Sequence, residues 1–294
     1  RSKKRRRGLP PSAIYYCDLG CNEGDLTMAM AATLANKISP IADELSPSVA
    51  NEESMQSSGG DENDAAVRCL GLDLDPKLIE RANCKFCNRE GSKLGDESTT
   101  QASHDNVNAM FKTCNLRNES DHNSACSSFI REILSNTSKE DNRTATTITK
   151  SITKETPPGQ GEALPQPMFH LTTIFSTTMW IHVHGGDEGL QEFLERACAW
   201  TGRFLLIEPQ PSGCYRKANI RLRKMGLPEL EDVTSSRLRM RPEIEREIET
   251  VVLGRGFRRV VSEDMLTLIG SGTKRDDAVT SWNRTLHLYE RVHC

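Results

Sequence analysis

What most limits the fold of this chain is an alternation of short apolar, β-leaning runs with helical segments. Ile14–Leu19 runs into Asp18-Leu-Gly20 and is followed by the Ala/Met/Leu-rich stretch Asp25–Asn36. Val67–Leu72 closes at Asp73, and Pro76–Arg89 then begins with proline in the first turn of a helix. Val107–Cys114 is a weaker third strand. Phe169–Phe175 precedes a helix over Asp187–Trp200, and Phe204–Ile207 precedes one over about 214–225 that stops at Gly226-Leu-Pro228. Pro242–Leu253 is helical up to Gly254, while Phe257–Val261 and Thr285–Tyr289 have no helix pattern between them. Strands separated by helices pair in parallel with helices on both faces. The expected fold is therefore α/β: a doubly wound, mostly parallel seven-stranded sheet with one antiparallel strand. Its ligand belongs at the carboxyl ends of the strands.

Composition looks thin for such a fold: 36% hydrophobic and 5% aromatic over 294 residues. The deficit has an address. Residues 39–66 and 117–167 are rich in Ser, Asn, Asp, Glu, Gly and Pro, and segments of that kind cannot offset their ordering entropy. Both read as disordered insertions in one domain spanning 1–294; Phe129–Leu134, inside the second, offers one helical turn or two. Residues 1–12 form a basic tail, six of the first seven residues being cationic. A solvated tail, nuclear import and RNA contact are all open to it. The opening Arg in place of Met suggests a fragment. Net charge is −3, so any basic surface must be local. No apolar run nears the ~20 residues that span a bilayer, and no secretory signal follows the N-terminus, so no membrane partner is expected. Ten scattered cysteines suit a reducing, cytoplasmic setting, with the nucleus a second possibility. Cys84-Lys-Phe-Cys87 lacks the second ligand pair a zinc site needs, and no metal is expected.

The strongest local motif is Asp18-Leu-Gly20-Cys-Asn22-Glu-Gly24 at the first strand–helix turn. Its glycines allow a tight turn and a close ligand, but Asn22 stands where a dinucleotide fingerprint has its second glycine. A pyrophosphate prefers a bare helix N-terminus. Asp18 instead favours a cationic ligand, such as the ammonium or sulfonium of S-adenosyl-L-methionine. Asp73, ending the second strand, is placed to grip a ribose diol, whereas Asp75 before Pro76 reads as a helix N-cap. Asn115, just past the third strand, lies where an adenine contact or a solvated loop would be. Together these favour a class I methyltransferase (Rossmann-like) fold over a nicotinamide enzyme.

Two further stretches are too unusual to be scaffold. Ser176-Thr-Thr178-Met-Trp180-Ile-His182-Val-His184-Gly-Gly-Asp187 leaves the fourth strand. Glu208-Pro-Gln210-Pro211 leaves the fifth and runs into Cys214-Tyr215-Arg216-Lys217, with Arg221, Arg223 and Lys224 beyond. Trp180 could be a core aromatic, His182 a loop histidine, Asp187 a helix N-cap. His182 and His184 have no third metal ligand. The basic run carries no acid and suits a phosphate-bearing substrate, although a solvated helix face would look the same.

The pairing of Thr177-Thr178-Met-Trp180-Ile-His182 … Gly186-Asp187-Glu-Gly-Leu190 with Leu205-Leu-Ile-Glu208-Pro-Gln210-Pro … Cys214-Tyr215-Arg216 resembles the bicoid-interacting-3 family of RNA methyltransferases. Within it, the resemblance is to the RNA 5′-monophosphate branch. Ser281-Trp282-Asn-Arg284-Thr-Leu-His-Leu-Tyr289 resembles that family's last strand. The resemblance covers 14–36, 67–90, roughly 107–116 and 168–291. It implies methyl transfer from S-adenosyl-L-methionine to the 5′-terminal phosphate of an RNA; separately, the chain is expected to be a monomer. Carried over by motif, Gly20, Asn22 and Gly24 line the methionine part, Asp73 the ribose and Asn115 the adenine edge. Thr178, Trp180 and His182, with Glu208, Gln210, Tyr215, Arg216, Lys217 and Arg221, surround the phosphate and first nucleotide. The chain departs from the family at Ser212 (commonly Trp), His184 (commonly Asn) and Asn115 (commonly Asp). The Tyr/Arg-containing segment that precedes the first strand in some members is not visible. A phosphate monoester loses its second proton near pH ~6, so no general base is required, and His182 is expected to position phosphate. A methyltransferase of protein or small molecules, and a non-catalytic RNA-binding protein, are the rival readings.

Overall fold

A computed structural model describes residues 13–45, 67–87, 107–137, 168–224, 238–260 and 284–292. Among them the order is β1 (Ile14–Leu19), α1 (Asp25–Leu45), β2 (Val67–Asp73), α2 (Pro76–Phe86), β3 (Val107–Thr113), α3 (Glu119–Thr137), β4 (Phe169–Phe175), α4 (Thr178–Trp200), β5 (Thr201–Glu208), α5 (Ser212–Lys224), a 3-10 turn (Arg241–Glu243), α6 (Ile244–Gly254), β6 (Phe257–Arg259) and β7 (His287–Arg291). The strands form a sheet in the order β3-β2-β1-β4-β5-β7-β6. β7 runs antiparallel to both of its neighbours, and the other pairings are parallel. This is the mostly parallel, doubly wound sheet with one antiparallel strand that the alternation predicts.

β1 sits at the centre, and Tyr15 to Leu19 are buried on both faces, which is why it reads as a continuous apolar run. One face packs Met28, Ala31 and Ala35 of α1 and Ile79 and Ala82 of α2 against Tyr16, Cys69 and Phe111. The other packs α3, α4 and α6 against Tyr15, Leu70, Ile174 and Leu205. Strand order reverses at β1: β2 lies on one side and β4 on the other. Their carboxyl ends open the crevice where such sheets bind ligands.

Several boundaries differ from expectation. The second polar segment is not an insertion throughout, because its first part is α3. Ala125, Cys126, Phe129, Ile130 and Ile133 fall on one buried stripe of that helix. Each large side chain there contributes about 1.5–3 kcal/mol, which the surrounding Ser, Asn and Asp of the exposed face conceal from composition. α1 likewise continues to Leu45, into the segment read as the first insertion. The basic tail, residues 46–66 and 138–167, and Ser281 to Asn283 lie outside the described residues. The helix after β4 starts at Thr178 rather than Asp187. It is kinked at Gly186 (φ 71°, ψ −172°), a backbone geometry that favours glycine, so two helical pieces meet there. Asp75 caps α2 as expected, its carboxylate accepting from the Lys77 amide at 2.8 Å.

Candidate active site

The first strand–helix turn is left-handed at three positions: Gly20 (φ 89°), Asn22 (φ 54°) and Gly24 (φ 81°). The amides of Gly20 and Cys21 both donate to the Leu72 carbonyl, at 2.7 and 3.0 Å, which ties the turn to the end of β2. A Cβ at Gly20 would lie 1.9 Å from Thr177 Oγ1, so the turn presses against the segment leaving β4. Thr177 Oγ1 in turn lies within hydrogen-bond distance of the Leu19 and Phe175 carbonyls.

Asp73 does two things. Oδ2 accepts the Asn22 amide and Oδ1 the Asp75 amide, each at 3.0 Å. Its carboxylate is thus aimed at the turn, and each oxygen keeps a second lone pair for a diol. Asn115 spends Oδ1 on the Arg117 amide at 3.1 Å, forming a local turn just past β3.

Asp18 is not where a ligand contact requires it. It is 2% exposed, Thr27 donates to one carboxylate oxygen at 2.6 Å and Thr173 to the other at 2.7 Å. Burial raises its pKa to about 6, against the two hydroxyls that lower it. Asp18 therefore braces the turn from below, clamping α1 (through Thr27) to β4 (through Thr173). Direct contact with a cationic ligand is closed to it by burial.

On the β4–β5 side the expected substrate residues come together, though mostly with each other. His182 is fully buried and both ring nitrogens are engaged: Nδ1 with the Tyr215 hydroxyl and Nε2 with Asp187 Oδ1, each at 2.8 Å. A carboxylate can only accept, so Nε2–H donates to Asp187 and the Tyr215 hydroxyl donates to Nδ1. That is the neutral tautomer. Burial lowers the histidine pKa, and the Asp187 contacts that raise it do not fully compensate. Asp187 also accepts from the Arg239 and Met240 amides, both at 3.1 Å. Burial pushes its carboxyl up, but the His182 hydrogen bond and those two amides hold it below its ordinary value. It is thus a junction between the α4 kink and residues 239–240, and not an N-cap.

His182 has no ring nitrogen left for a phosphate, which corrects the direct role expected of it. Tyr215 is fully buried beside it. Trp180 is half-buried in a small cluster with Met179, Tyr215 and Leu238. Gln210, 3% exposed, accepts the Met179 amide through Oε1 at 2.7 Å, and it contacts the buried Thr178 hydroxyl. Gln210 thus holds the start of α4, and both side chains are buried. Glu208 is buried with a cationic partner, Arg284 (Nη1–Oε2 3.2 Å); a bare carboxylate would repel phosphate. Arg216 and Lys217 are exposed at the start of α5 and make no ion pair among the described residues. The side chain of Arg221 lies outside the described residues. Among the described residues no cluster of three or more metal-binding side chains occurs.

The expected set omitted Thr27, Thr173, Thr177, Ser176 and Arg284. Thr173 carries no motif signal, whereas Ser176 and Thr177 open the stretch that leaves the fourth strand and Arg284 lies within the last-strand resemblance.

Residues 169–291, which span β4 to β7 and contain the whole β4–β5 edge, match the family model for bicoid-interacting protein 3 (Bin3). The RNA 5′-monophosphate methyltransferase of Rattus norvegicus is 27% identical over 284 residues, covering 95% of this chain and 70% of that protein. The pre-miRNA 5′-monophosphate methyltransferase of Danio rerio is 23% identical over 280 residues, covering 95% and 77%. In Bos taurus, an RNA 5′-monophosphate methyltransferase reaches 46% identity over 72 residues, 24% of each chain. With those matches laid over a sheet whose β1 and β4 ends meet through Gly20 and Thr177, residues 169–291 of this chain carry the bicoid-interacting-3 (Bin3) domain.

Proposed function

We propose that this chain transfers a methyl group from S-adenosyl-L-methionine to the 5′-terminal phosphate of an RNA. The observation that carries the proposal is contact between two edges. The glycine turn of β1 presses on the segment leaving β4, so a donor on the turn and a substrate beside the α4 and α5 starts would share one crevice. The donor fits the residues present: three left-handed backbone positions in the turn, the Asp73 carboxylate at its rim, and Asn115 past β3. When bound there, the donor supplies an electrophilic methyl on sulfonium; the phosphate oxygen forms the new C–O bond as the C–S pair returns to sulfur.

What the chain's own residues contribute is position. Above pH ~6 a phosphate monoester already presents a dianionic oxygen, so no side chain has to remove a proton. That suits a site in which His182 is neutral and bonded at both ring nitrogens. His182 then acts at a distance: through Tyr215 it seats α5, which carries Arg216 and Lys217, and through Asp187 it fixes residues 239–240. Arg216 and Lys217 supply positive charge at the edge. In-line attack at about 3–3.5 Å would follow from that placement.

The deciding experiment is tritiated methyl transfer to one RNA bearing a 5′-hydroxyl, 5′-monophosphate or 5′-triphosphate. Uptake should occur with the 5′-monophosphate and fall to background with the 5′-hydroxyl. Equal uptake by both, or uptake into protein alone, would overturn the proposal.

A further inference from the structure

At the carboxyl ends of β4 and β5 lies a polar group that the sequence pattern did not assemble. Ser176 follows β4 in a left-handed conformation (φ 53°) rare for a residue with a side chain. That turn carries its hydroxyl to Glu208, the last residue of β5, and Ser176 Oγ donates to Glu208 Oε2 at 2.6 Å. Arg284, which leads into β7, completes the group: Nη1 donates to Ser176 Oγ at 2.6 Å and to Glu208 Oε2 at 3.2 Å. The Glu208 side chain is 4% exposed and that of Arg284 17%.

Three facts separate Arg284 from the other cations of this edge. Its guanidinium is anchored, whereas Arg216 and Lys217 stand exposed without ion pairs among the described residues. Among the described residues both of its hydrogen bonds run from one nitrogen, Nη1, and none of its other nitrogens is a buried group lacking a partner. A guanidinium held at one nitrogen keeps a second edge suited to two-point contact with an oxyanion. Finally, Ser176 adjoins Thr177, whose hydroxyl faces Gly20 of the first turn. The anchored cation is therefore linked through consecutive residues to the turn assigned to the methyl donor.

The geometry points to Arg284 as a direct ligand of the substrate's terminal phosphate, with Glu208 and Ser176 as positioning residues that hold the guanidinium in place. This rests on the methyl-transfer reading above. Glu208 is needed because a free arginine side chain would have to be ordered anew with each substrate. The strained Ser176 supports this arrangement, since backbone strain is retained where surrounding contacts enforce it. Binding would use two non-attacking oxygens of the phosphate, leaving the third anionic and free to attack carbon.

The test compares a short single-stranded RNA carrying a 5′-monophosphate with the same RNA carrying a 5′-hydroxyl. Affinities are read by fluorescence anisotropy, methyl transfer by KM and kcat, and donor affinity by calorimetry. Arg284→Lys keeps the charge and the pair with Glu208 while losing the fork; it should raise KM for the 5′-monophosphate RNA about 10-fold. Arg284→Gln combined with Glu208→Gln removes both charges and leaves no buried unpaired carboxylate. It should lower affinity for the 5′-monophosphate RNA about 10- to 100-fold. The ratio of affinities for the two RNAs should fall toward one, with donor affinity within about two-fold of the parent. A ratio preserved in the double variant, an unchanged KM in Arg284→Lys, or equal loss of donor and RNA affinity would each overturn the role of Arg284. If the parent protein itself shows neither a 5′-phosphate preference nor methyl uptake, the methyl-transfer reading fails, and this assignment fails with it.

Discussion

The two halves of the crevice are built by different means. On the β1–β2 side, shape comes from backbone: left-handed φ at Gly20, Asn22 and Gly24, with two amides on one carbonyl and two amides on the Asp73 carboxylate. On the β4–β5 side, shape comes from side chains bonded across long sequence separations: His182 with Tyr215, Ser176 with Glu208, Arg284 with both of the latter. A backbone-built cradle is written locally, in residue types that few others can replace. A side-chain-built wall depends on distant partners arriving in register. The first should fail abruptly when one atom is added; the second should fail in proportion to the bonds removed.

The largest expected effect follows from adding one carbon to the turn. Gly20→Ala would place a Cβ 1.9 Å from Thr177 Oγ1 at a φ of 89°. It should cost about 3 kcal/mol or more in urea unfolding, with donor binding lost in calorimetry. A variant with parent-like stability and donor affinity would break the contrast between the two sides.

Next comes the sign of the pH response. Asp18 has its folded pKa raised to about 6 from 3.8. The native state therefore holds a proton that the unfolded chain has lost. Its stabilisation is complete below pH 3.8 and is lost as pH rises through about 6, by about 3 kcal/mol at most. His182 runs the other way. Its folded pKa is lowered from 6.5, so stability present above pH 6.5 is lost as pH falls toward the folded value. His122 and His287, lowered to about 3 and about 4, share that sign. They cancel when each variant is compared with the parent. Subtracting Asp18→Asn and His182→Gln unfolding curves from the parent's should give slopes of opposite sign between pH 4 and 6.5. Slopes of the same sign would show that the two sides do not differ in this respect.

The smallest effect is a control on the first. Gly189 lies in α4 with nothing within 4 Å of an added Cβ. Gly189→Ala should raise stability by about 1 kcal/mol or less in the same urea assay. A loss as large as that at Gly20 would mean that α4, and not the turn, is the sensitive element.

Legibility in the sequence follows the same division. The turn, the Asp75 cap and the strand–helix order could be read because each depends on neighbours within a few residues. The role of His182 could not. Its motif marks it as special, but only the fold shows that Tyr215 and Asp187 occupy both of its nitrogens. Asp18 was misplaced for a related reason: one residue of a buried strand looks the same in sequence whether its carboxylate meets a ligand or two threonines. α3 was hidden because its apolar stripe, Ala125 to Ile133, is diluted by a polar face that composition averages in.

By itself the sequence determined the strand–helix order, the glycine turn and the resemblance to bicoid-interacting-3 proteins, because alternation, local backbone preference and motif spacing are properties of contiguous residues. Only the tertiary structure decided which motif residues face the crevice and which brace it. Burial and partner identity are set when β1, β4, β5 and β7 come together. That is why Arg284, distant in sequence from every other site residue, ends beside Ser176 and Glu208.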